Sequence, residues 1–252
     1  MKDAYKSIIE AFVHAGVDND THVELVWIPS ESIKKQGAEK FLDNVDGLLI
    51  PGGFGERGVE GKIEAIKFVR QNDIPFLGIC LGMQCAVIEL ARNVCGLEGA
   101  QSVEFHREAQ HPVISLMSEQ REVTNMGGTM RLGAYPCVLT EGSKSHRAYA
   151  KSQISERHRH RYEFNNNYRE QIFGAGMIAS GMSPDGGLIE MVEIPSHHWF
   201  VGVQFHPELK SRPTAPHPLF RDFVGAAVRF RQSRETSTVV NSRSAEESPD
   251  SR

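Results

Sequence analysis

One cysteine stands where a short apolar run gives way to a helical pattern, in the stretch LGICLGMQ at residues 77–84. Cys80 is flanked there by Gly78 and Gly82, the small residues that a tight strand-to-helix turn needs. This is the pattern of a nucleophile elbow, in which a strained turn exposes the central side chain. The N-terminus of the following helix would favour the thiolate, and the backbone N–H of Leu81 could donate to an oxyanion. The pattern predicts nucleophilic chemistry at Cys80, although a buried structural role is commoner for cysteine.

The base predicted to serve Cys80 comes from the stretch VQFHPE, residues 203–208. His206 and Glu208 are two residues apart at the end of an apolar run, so extended backbone would turn both side chains to one face. A thiol nucleophile usually needs a base, and the base needs a group that orients it. The two stretches together predict a Cys–His–Glu triad that folding must assemble from distant segments.

A glycine-rich turn, PGGFGERGVEG at residues 51–61, follows another short buried strand. It lacks the Gly-Lys-Ser/Thr ending of a P-loop, which argues against a phosphate site. In a parallel sheet this turn would lie at the same carboxyl edge as Cys80. We interpret it as half of an oxyanion hole, with one donor from Gly52-Gly53 and the other from Leu81. Such a donor is typically worth about 3–4 kcal/mol in the transition state.

The run ERHRHRYE, residues 156–163, alternates arginine and histidine side chains. Alternation predicts a strand that presents its arginines on one face. The flanking Glu156 and Glu163 and the acidic balance of the whole chain argue against a nucleic-acid surface. Two interpretations stay open: an arginine that pairs with a substrate carboxylate, and a solvated surface strand.

The elements that must position these residues alternate between helix and strand. Helical periodicity and short apolar runs predict, in the first hundred residues, helices at 2–16, 61–72 and 81–94 and strands at 22–28, 47–50 and 74–79. Shorter strands and a last helix follow, at 112–117, 135–140, 177–182, 187–194, 199–205 and 217–231. The order predicts an α/β fold with a mostly parallel central sheet flanked by helices and with extra antiparallel strands.

The predicted domain covers residues 1–230, and residues 231–252 are predicted to be a disordered tail rich in serine. The chain opens on a helical pattern, whereas a doubly wound sheet normally opens on a strand. The sequence therefore leads us to expect that the first strand of the domain is missing and lies upstream of Met1.

Bulk composition restricts the class of protein. The 252 residues carry 28 Lys and Arg against 32 Asp and Glu, a formal charge of −4, so no nucleic-acid or membrane partner is expected. No apolar run approaches the roughly 18 residues of a transmembrane helix, and no signal peptide is evident. The four cysteines lack paired metal-ligand spacing, so no metal site is expected. These features predict a cytoplasmic protein with reduced thiols.

Three of these stretches together resemble a known family. PGGFGERG, LGICLGMQ and VQFHPE occur in this order in the class I glutamine amidotransferases. SVEF, GGTMRLG and ERHRHRYE are similar to a subgroup of that family, the glutaminase domains of CTP synthases. The resemblance covers roughly residues 3–230. A mild departure is Val103 before Glu104, where the family usually has threonine.

The resemblance implies a role for each matching position. Cys80 would attack the side-chain amide of L-glutamine, His206 would move the protons, and Glu208 would orient the imidazole. Gly53 and Leu81 would stabilise the oxyanion. The residues implied to hold the glutamine are Gly53, Phe54, Leu81, Gln84, Glu104 and Arg161.

The resemblance also implies partners beyond the chain. Ammonia would pass to a synthetase domain, in the same parent chain or a separate one, that binds ATP, Mg²⁺ and UTP. No cofactor is expected in this chain, GTP is a possible activator, and the full-length protein is expected to be a homo-oligomer. Two alternatives are a γ-glutamyl hydrolase with the same triad and a non-catalytic or truncated amidotransferase-like subunit.

Overall fold

The structure of the chain is a computed structural model that describes residues 2–116 and 130–246. Its strands form a seven-stranded sheet and a three-stranded sheet. The strands are β1 (Leu48–Ile50), β2 (Phe76–Ile79), β3 (Ala100–Ser102), β4 (His111–Ser115), β5 (Arg131–Leu139), β6 (Gln153–His160), β7 (Glu163–Phe164), β8 (Ile178–Met182), β9 (Ile189–Glu193) and β10 (Phe200–Val203).

The larger sheet has the order β1-β2-β10-β9-β8-β5-β6. Strands β1, β2 and β10 are parallel neighbours, and the pairings from β10 to β6 are antiparallel. The predicted α/β class with flanking helices and extra antiparallel strands is confirmed, but the sheet is mixed and not mostly parallel. Two of its six pairings are parallel, and both involve the three strands whose ends carry the chemically interesting motifs. The smaller sheet pairs β4 in parallel with β3 and antiparallel with β7.

Helices cover both faces of the larger sheet. They are α1 (Lys6–Asp18), α2 (Ser30–Gln36), α3 (Glu39–Leu42), α4 (Val59–Gln71), α5 (Leu81–Asn93), α6 (Lys144–Tyr149), α7 (Arg169–Gly174) and α8 (Pro218–Glu246). Short 3₁₀ turns occur at Lys2–Tyr5, Asn166–Tyr168 and Pro207–Leu209. Within the two described ranges, no helix is long and apolar enough to cross a membrane.

Two hydrophobic cores lie on opposite faces of the parallel strands. Period-two alternation sends Phe76 and Phe200 into the core beneath α4 and α5, where their ring centroids are 4.5 Å apart. Leu77 and Val201 point the other way, into the core closed by α1 and α8, where Phe220 also packs. Burial on both faces explains why β2 and β10 appear in the sequence as continuous apolar runs.

The strand predicted at residues 22–28 is wrong, because no residue of this segment pairs with a strand. Val23 and Leu25 are half-buried against the core beside α1, while Glu24 and Val26 are exposed. The alternation in the sequence therefore marks a half-buried extended segment, and it carries no information about whether a neighbouring strand is there to pair with it.

The last helix differs from the sequence-based prediction, because α8 continues to Glu246 where disorder was expected from residue 231. Arg231 donates to Glu235 one turn later at 3.0 Å, and Arg234 donates to the carbonyl oxygen of Asp43 at 3.0 Å. These contacts stabilise the helix from Arg231 to Glu235, directly after Phe230. Residues 247–252 and residues 127–129 of the GGTMRLG stretch lie outside the described residues.

Candidate active site

Three loops leave the same edge of the larger sheet, at the carboxyl ends of β1, β2 and β10. Ile50 pairs with Gly78, and Val203 pairs with Ile79, so the three strands end level with one another. The backbone N–H of Cys80 donates to the carbonyl oxygen of Val203 at 2.7 Å, which extends the ladder by one residue. The glycine-rich turn, the cysteine and the VQFHPE segment are therefore adjacent, as parallel pairing predicts.

Cys80 occupies the strained turn predicted for it, with φ of 51° and ψ of −102°. A side chain at Gly78 would place its Cβ 2.7 Å from the backbone carbon of Gly82, and a Cβ at Gly82 would collide with the carbonyl oxygen of Ile50. Both glycines are thus required for close backbone approach at the start of α5. The elbow holds the sulfur at a fixed place between β1 and β10.

The Cys80 thiol is buried, and its pKa is raised to about 12, chiefly by desolvation. The backbone N–H of Leu81 donates to the sulfur and lowers the pKa, but the nearby carboxylates of Glu208, Glu104 and Glu163 raise it further. The start of α5 therefore favours the thiolate, in the direction predicted, but desolvation outweighs it. The resting group is a neutral thiol, and its proton must leave when the sulfur attacks.

His206 and Glu208 are brought together beside the cysteine. Nδ1 of His206 donates to Oε1 of Glu208 at 2.7 Å, which leaves Nε2 as the proton acceptor. The ring borders Gly52, where an added Cβ would lie 2.7 Å from Cε1 of His206 and 3.6 Å from Cβ of Cys80. The backbone N–H of His206 donates to the carbonyl oxygen of Arg157 at 2.8 Å and so fixes the base to β6.

The predicted oxyanion donors lie next to each other. An added Cβ at Gly53 would be 3.3 Å from Cδ2 of Leu81, so the glycine-rich turn packs against the first residue of α5. The Phe54 ring beyond it is 61% exposed, and the guanidinium carbon of Arg159 lies 5.9 Å from its centroid. The turn thus offers backbone donors near the sulfur and an aromatic face at the rim.

Glu104 and Arg161 form an oppositely charged pair near this turn. The backbone N–H of Gly55 donates to Oε1 of Glu104 at 2.9 Å. Burial raises the pKa of Glu104, while the Gly55 N–H and the charge of Arg161 act in the opposite direction. A carboxylate and a guanidinium placed together in this way can bind the amino and carboxylate groups of one amino acid.

Gln84 lies one turn into α5 and is buried, so it is not in the open part of the site. Its Nε2 donates to the carbonyl oxygen of Tyr162 at 3.1 Å and to Oε1 of Gln204 at 3.2 Å. Both amide hydrogens are used, so the predicted contact with a substrate is restricted to Oε1 of Gln84. Gln204 itself is a site residue that sequence reasoning missed.

Strand β6 has arginines on its exposed face and histidines on its buried face, in strict alternation. His160 donates through Nδ1 to the carbonyl oxygen of Tyr162 at 3.2 Å, so its Nε2 accepts from Nδ1 of His158 at 2.8 Å. Burial lowers the pKa of His158 to about 3, and both rings are neutral. The alternation in ERHRHRYE was the signal for this buried face, but the prediction considered only the arginines.

A buried ion cluster adjoins these histidines. Arg131 donates to Glu190 at 2.8 Å and to Glu163 at 3.1 Å. One guanidinium faces two carboxyl groups, and desolvation raises the pKa of Glu163 to about 8 despite the contact with Arg131. Burial raises the pKa of Glu190 as well, against the hydrogen bonds from Arg131 that lower it, and Glu163 keeps its proton near neutral pH. The cluster ties β5, β9 and β7 together behind the site.

No metal site accompanies this arrangement: within residues 2–116 and 130–246, no group of three or more His, Cys, Asp or Glu side chains is placed to hold a metal ion.

Comparison with known proteins gives a consistent result. A sequence model of the class-I glutamine amidotransferase family matches residues 1–226. A CTP synthase of Carboxydothermus hydrogenoformans is 58% identical over 229 residues, and one of Clostridium perfringens is 60% identical over 228 residues. These matches cover 91% and 90% of the chain and 43% of each relative, so the chain spans less than half the length of these relatives.

A solved structure shares the fold along nearly its whole length. The glutaminase domain of Trypanosoma brucei CTPS, solved with bound acivicin, is 39% identical and superposes with a TM-score of 0.85. The match covers 90% of this chain and 89% of that one.

Proposed function

The chain belongs to the class I glutamine amidotransferase family, in the group of CTP synthase glutaminase domains, and we propose that its Cys80 site hydrolyses the side-chain amide of L-glutamine. One observation carries this proposal. A nucleophile on a strained elbow, an imidazole fixed to a carboxylate at 2.7 Å and a glycine-rich turn meet at one edge of three parallel strands. That is the set of groups that acyl transfer from an amide requires.

In the first half-reaction, the sulfur of Cys80 attacks the amide carbon while Nε2 of His206 takes the thiol proton. Because burial keeps the resting thiol protonated, this transfer accompanies bond formation. The N–H groups of Gly53 and Leu81 donate to the oxyanion of the tetrahedral intermediate. The carbon–nitrogen bond then breaks, the imidazolium gives its proton to the leaving nitrogen, and ammonia departs from a γ-glutamyl thioester.

In the second half-reaction, His206 takes a proton from water, whose oxygen attacks the thioester carbon. The same two donors hold the second oxyanion, and the carbon–sulfur bond breaks as the sulfur recovers a proton from the imidazolium. Glu208 holds Nδ1–H throughout, so Nε2 always faces the reacting atoms. Glutamate and the free thiol are the products.

Recognition of free glutamine is assigned to the charged pair at the rim. Glu104 would accept from the α-amino group and Arg161 would donate to the α-carboxylate, with Phe54 against the aliphatic part and Oε1 of Gln84 as a further acceptor. A pair of opposite charges selects a zwitterion. Free glutamine and the glutamyl end of a γ-glutamyl peptide both carry these two groups, so the pair recognises the glutamyl part, and the two substrates differ only in the substituent on the side-chain amide nitrogen.

The larger reaction is also a proposal. We propose that the ammonia is used by a synthetase domain, which would bind ATP, Mg²⁺ and UTP and form CTP, with GTP as an activator of glutamine hydrolysis. The relatives that match along 43% of their length carry the name CTP synthase, which supports this reading. A cytoplasmic location and a homo-oligomeric full-length protein complete the proposal.

The test is ammonia release from L-glutamine by the purified chain. Cys80→Ala should abolish it, and Cys95→Ala should not, because Cys95 is a half-exposed thiol that contacts the carbonyl oxygen of Gln171 away from the site. If the wild type and Cys80→Ala are both folded and release ammonia at the same rate, the proposal fails. Hydrolysis of γ-glutamyl peptides without hydrolysis of glutamine would support the γ-glutamyl hydrolase alternative.

A further inference from the structure

Gln204 is a fully buried polar residue that directly follows β10. Its backbone N–H donates to the carbonyl oxygen of Glu190 at 2.8 Å, which fixes the residue to the neighbouring strand. Its side chain turns toward the nucleophile, where Nε2 lies 3.6 Å from Sγ of Cys80. The catalytic steps described above make no use of this contact.

The donors and acceptors around Gln204 leave only one orientation for its amide. The carbonyl oxygen of Tyr162 can only accept, so the amide of Gln84 must present Nε2 to it. The second hydrogen on Nε2 of Gln84 then points at the side chain of Gln204, which must accept it through Oε1. Nε2 of Gln204 is left facing the sulfur of Cys80 as a hydrogen-bond donor.

We propose that Gln204 is a catalytic residue whose side-chain amide donates a hydrogen bond to the sulfur of Cys80 and stabilises it whenever it carries negative charge. Gln84 is then a positioning residue that fixes the orientation of the Gln204 amide. The proposal rests on the proposed glutaminase function for its place in the reaction, but the contact itself is a property of the free protein.

The surroundings of the sulfur explain what such a donor contributes. The carboxyl groups of Glu208 after β10 and Glu104 after β3 face it, and Glu163 on β7 adds its negative charge only when it loses its proton, at a pKa of about 8. The N–H of Leu81 opposes them from the start of α5, the charge of Arg161 acts on Glu104, and the His206 ring borders Gly52 beside Cys80. A second N–H donor lowers the energy of the thiolate in a buried, negatively biased site.

The contribution falls at two points of the reaction. The sulfur gains negative charge when its proton moves to His206, and it gains charge again when the thioester carbon–sulfur bond breaks. In the intervening thioester the sulfur is neutral and a poor acceptor, so the hydrogen bond is weakest there. An interaction that strengthens as charge develops accelerates both steps.

Alkylation of Cys80 tests the contact without glutamine. Iodoacetamide forms a sulfur–carbon bond and releases iodide, at a rate set by the thiolate fraction. The rate would be followed from pH 6 to 11 by mass spectrometry of the peptide that carries Cys80. Gln204→Glu keeps the acceptor for Gln84 and removes the donor to sulfur, while Gln204→Met removes both and introduces no charge.

Because burial raises the pKa of the thiol to about 12, the logarithm of the rate should rise in a straight line over this range. Both variants are expected to lower that line about tenfold or more, which equals a displacement of about one pH unit. Gln153→Glu is the matched control, since Gln153 is exposed at the start of β6, and its profile should equal that of the wild type. If Gln204→Glu does not fold, Gln204→Met decides the outcome.

A folded Gln204→Met protein with a wild-type alkylation profile would overturn the proposal. A shifted profile in a protein that never hydrolyses glutamine would keep the Gln204 contact and reject the glutaminase function. The failures of the two proposals are therefore distinguishable. The amide orientation has its own check, because Gln84→Leu should move the profile in the same direction by a smaller amount.

Discussion

Adding a methyl group at Gly52 would test how closely His206 must approach the sulfur. The new Cβ would lie 2.7 Å from Cε1 of the imidazole, whereas carbon atoms in contact are normally about 3.5–4.0 Å apart. The ring must therefore move back by about 1 Å. It is the tip of a side chain, so it can move without unfolding the protein, but its hydrogen bond to Glu208 and its alignment with Cys80 are then disturbed.

A displacement of about 1 Å in a catalytic group costs about 100-fold in rate, or about 2.7 kcal/mol. We expect Gly52→Ala to lower kcat for glutamine hydrolysis by this factor, with a much smaller effect on the midpoint of thermal unfolding. The measurement is steady-state ammonia release combined with a thermal melt of the same preparation.

Gly174→Ala is the matched control for this substitution. A Cβ at Gly174, the last residue of α7, would have no atom within 4 Å, so the variant should keep both activity and stability. If Gly52→Ala retained near wild-type kcat, the close approach of His206 to Gly52 would be irrelevant to catalysis. The assignment of His206 as the base would then lose its geometric support.

Three further substitutions test the scaffold. Gly82→Ala would place a Cβ against the carbonyl oxygen of Ile50, a backbone atom that cannot move aside. We therefore expect the free energy of unfolding to fall by about 3 kcal/mol and the melting temperature to fall by about 6–12 °C. Arg131→Met leaves the carboxyl group of Glu190 buried without its partner, so the free energy of unfolding measured in urea should fall by about 3–5 kcal/mol. A decrease of less than about 1 kcal/mol would contradict a stabilising ion pair between Arg131 and Glu190. Glu163 has a folded pKa of about 8 against an ordinary 4.5, so the folded state holds a proton that the unfolded chain releases. The free energy of unfolding of the wild type, relative to that of Glu163→Gln, should therefore decrease between about pH 5 and pH 8. If urea titrations showed this difference increasing with pH, the pKa of Glu163 would not be raised on folding.

The parallel strands and the elbow could be predicted from the sequence because their signals are local. An apolar run that ends at Gly78, Cys80 and Gly82 specifies both a buried strand and a turn that admits no other side chains. In VQFHPE, His206 and Glu208 do lie on one side, but the predicted extended backbone is wrong there, because Glu208 is in the 3₁₀ turn Pro207–Leu209. Parallel pairing then brings the two stretches together without further information from the sequence.

The buried partners could not be predicted, because their roles depend on contacts between distant segments. Gln204 has no motif of its own, and its function follows from a cysteine 124 residues earlier in the chain. Arg131 and Glu190 are 59 residues apart, and neither lies in a pattern that indicates a buried pair. The state of the thiol was also beyond local reasoning, because burial by the whole fold outweighs the favourable end of one helix.

The unpaired segment at residues 22–28 illustrates a different limit. Alternating apolar residues such as Val23 and Leu25 report that one side of the backbone faces a core, and the structure agrees with that part. A strand also needs a neighbour that supplies hydrogen bonds, and a single sequence segment contains no record of its neighbours.

The adjacency of β2 and β10 has a consequence for how the protein is made. The ribosome synthesises Cys80, which directly follows β2, 124 residues before Gln204, which directly follows β10. At about 5–20 residues per second, this delay is about 6–25 s. During that interval β2 has one open edge and Cys80 has no imidazole beside it, so the thiol acquires its reactivity only after synthesis has passed β10.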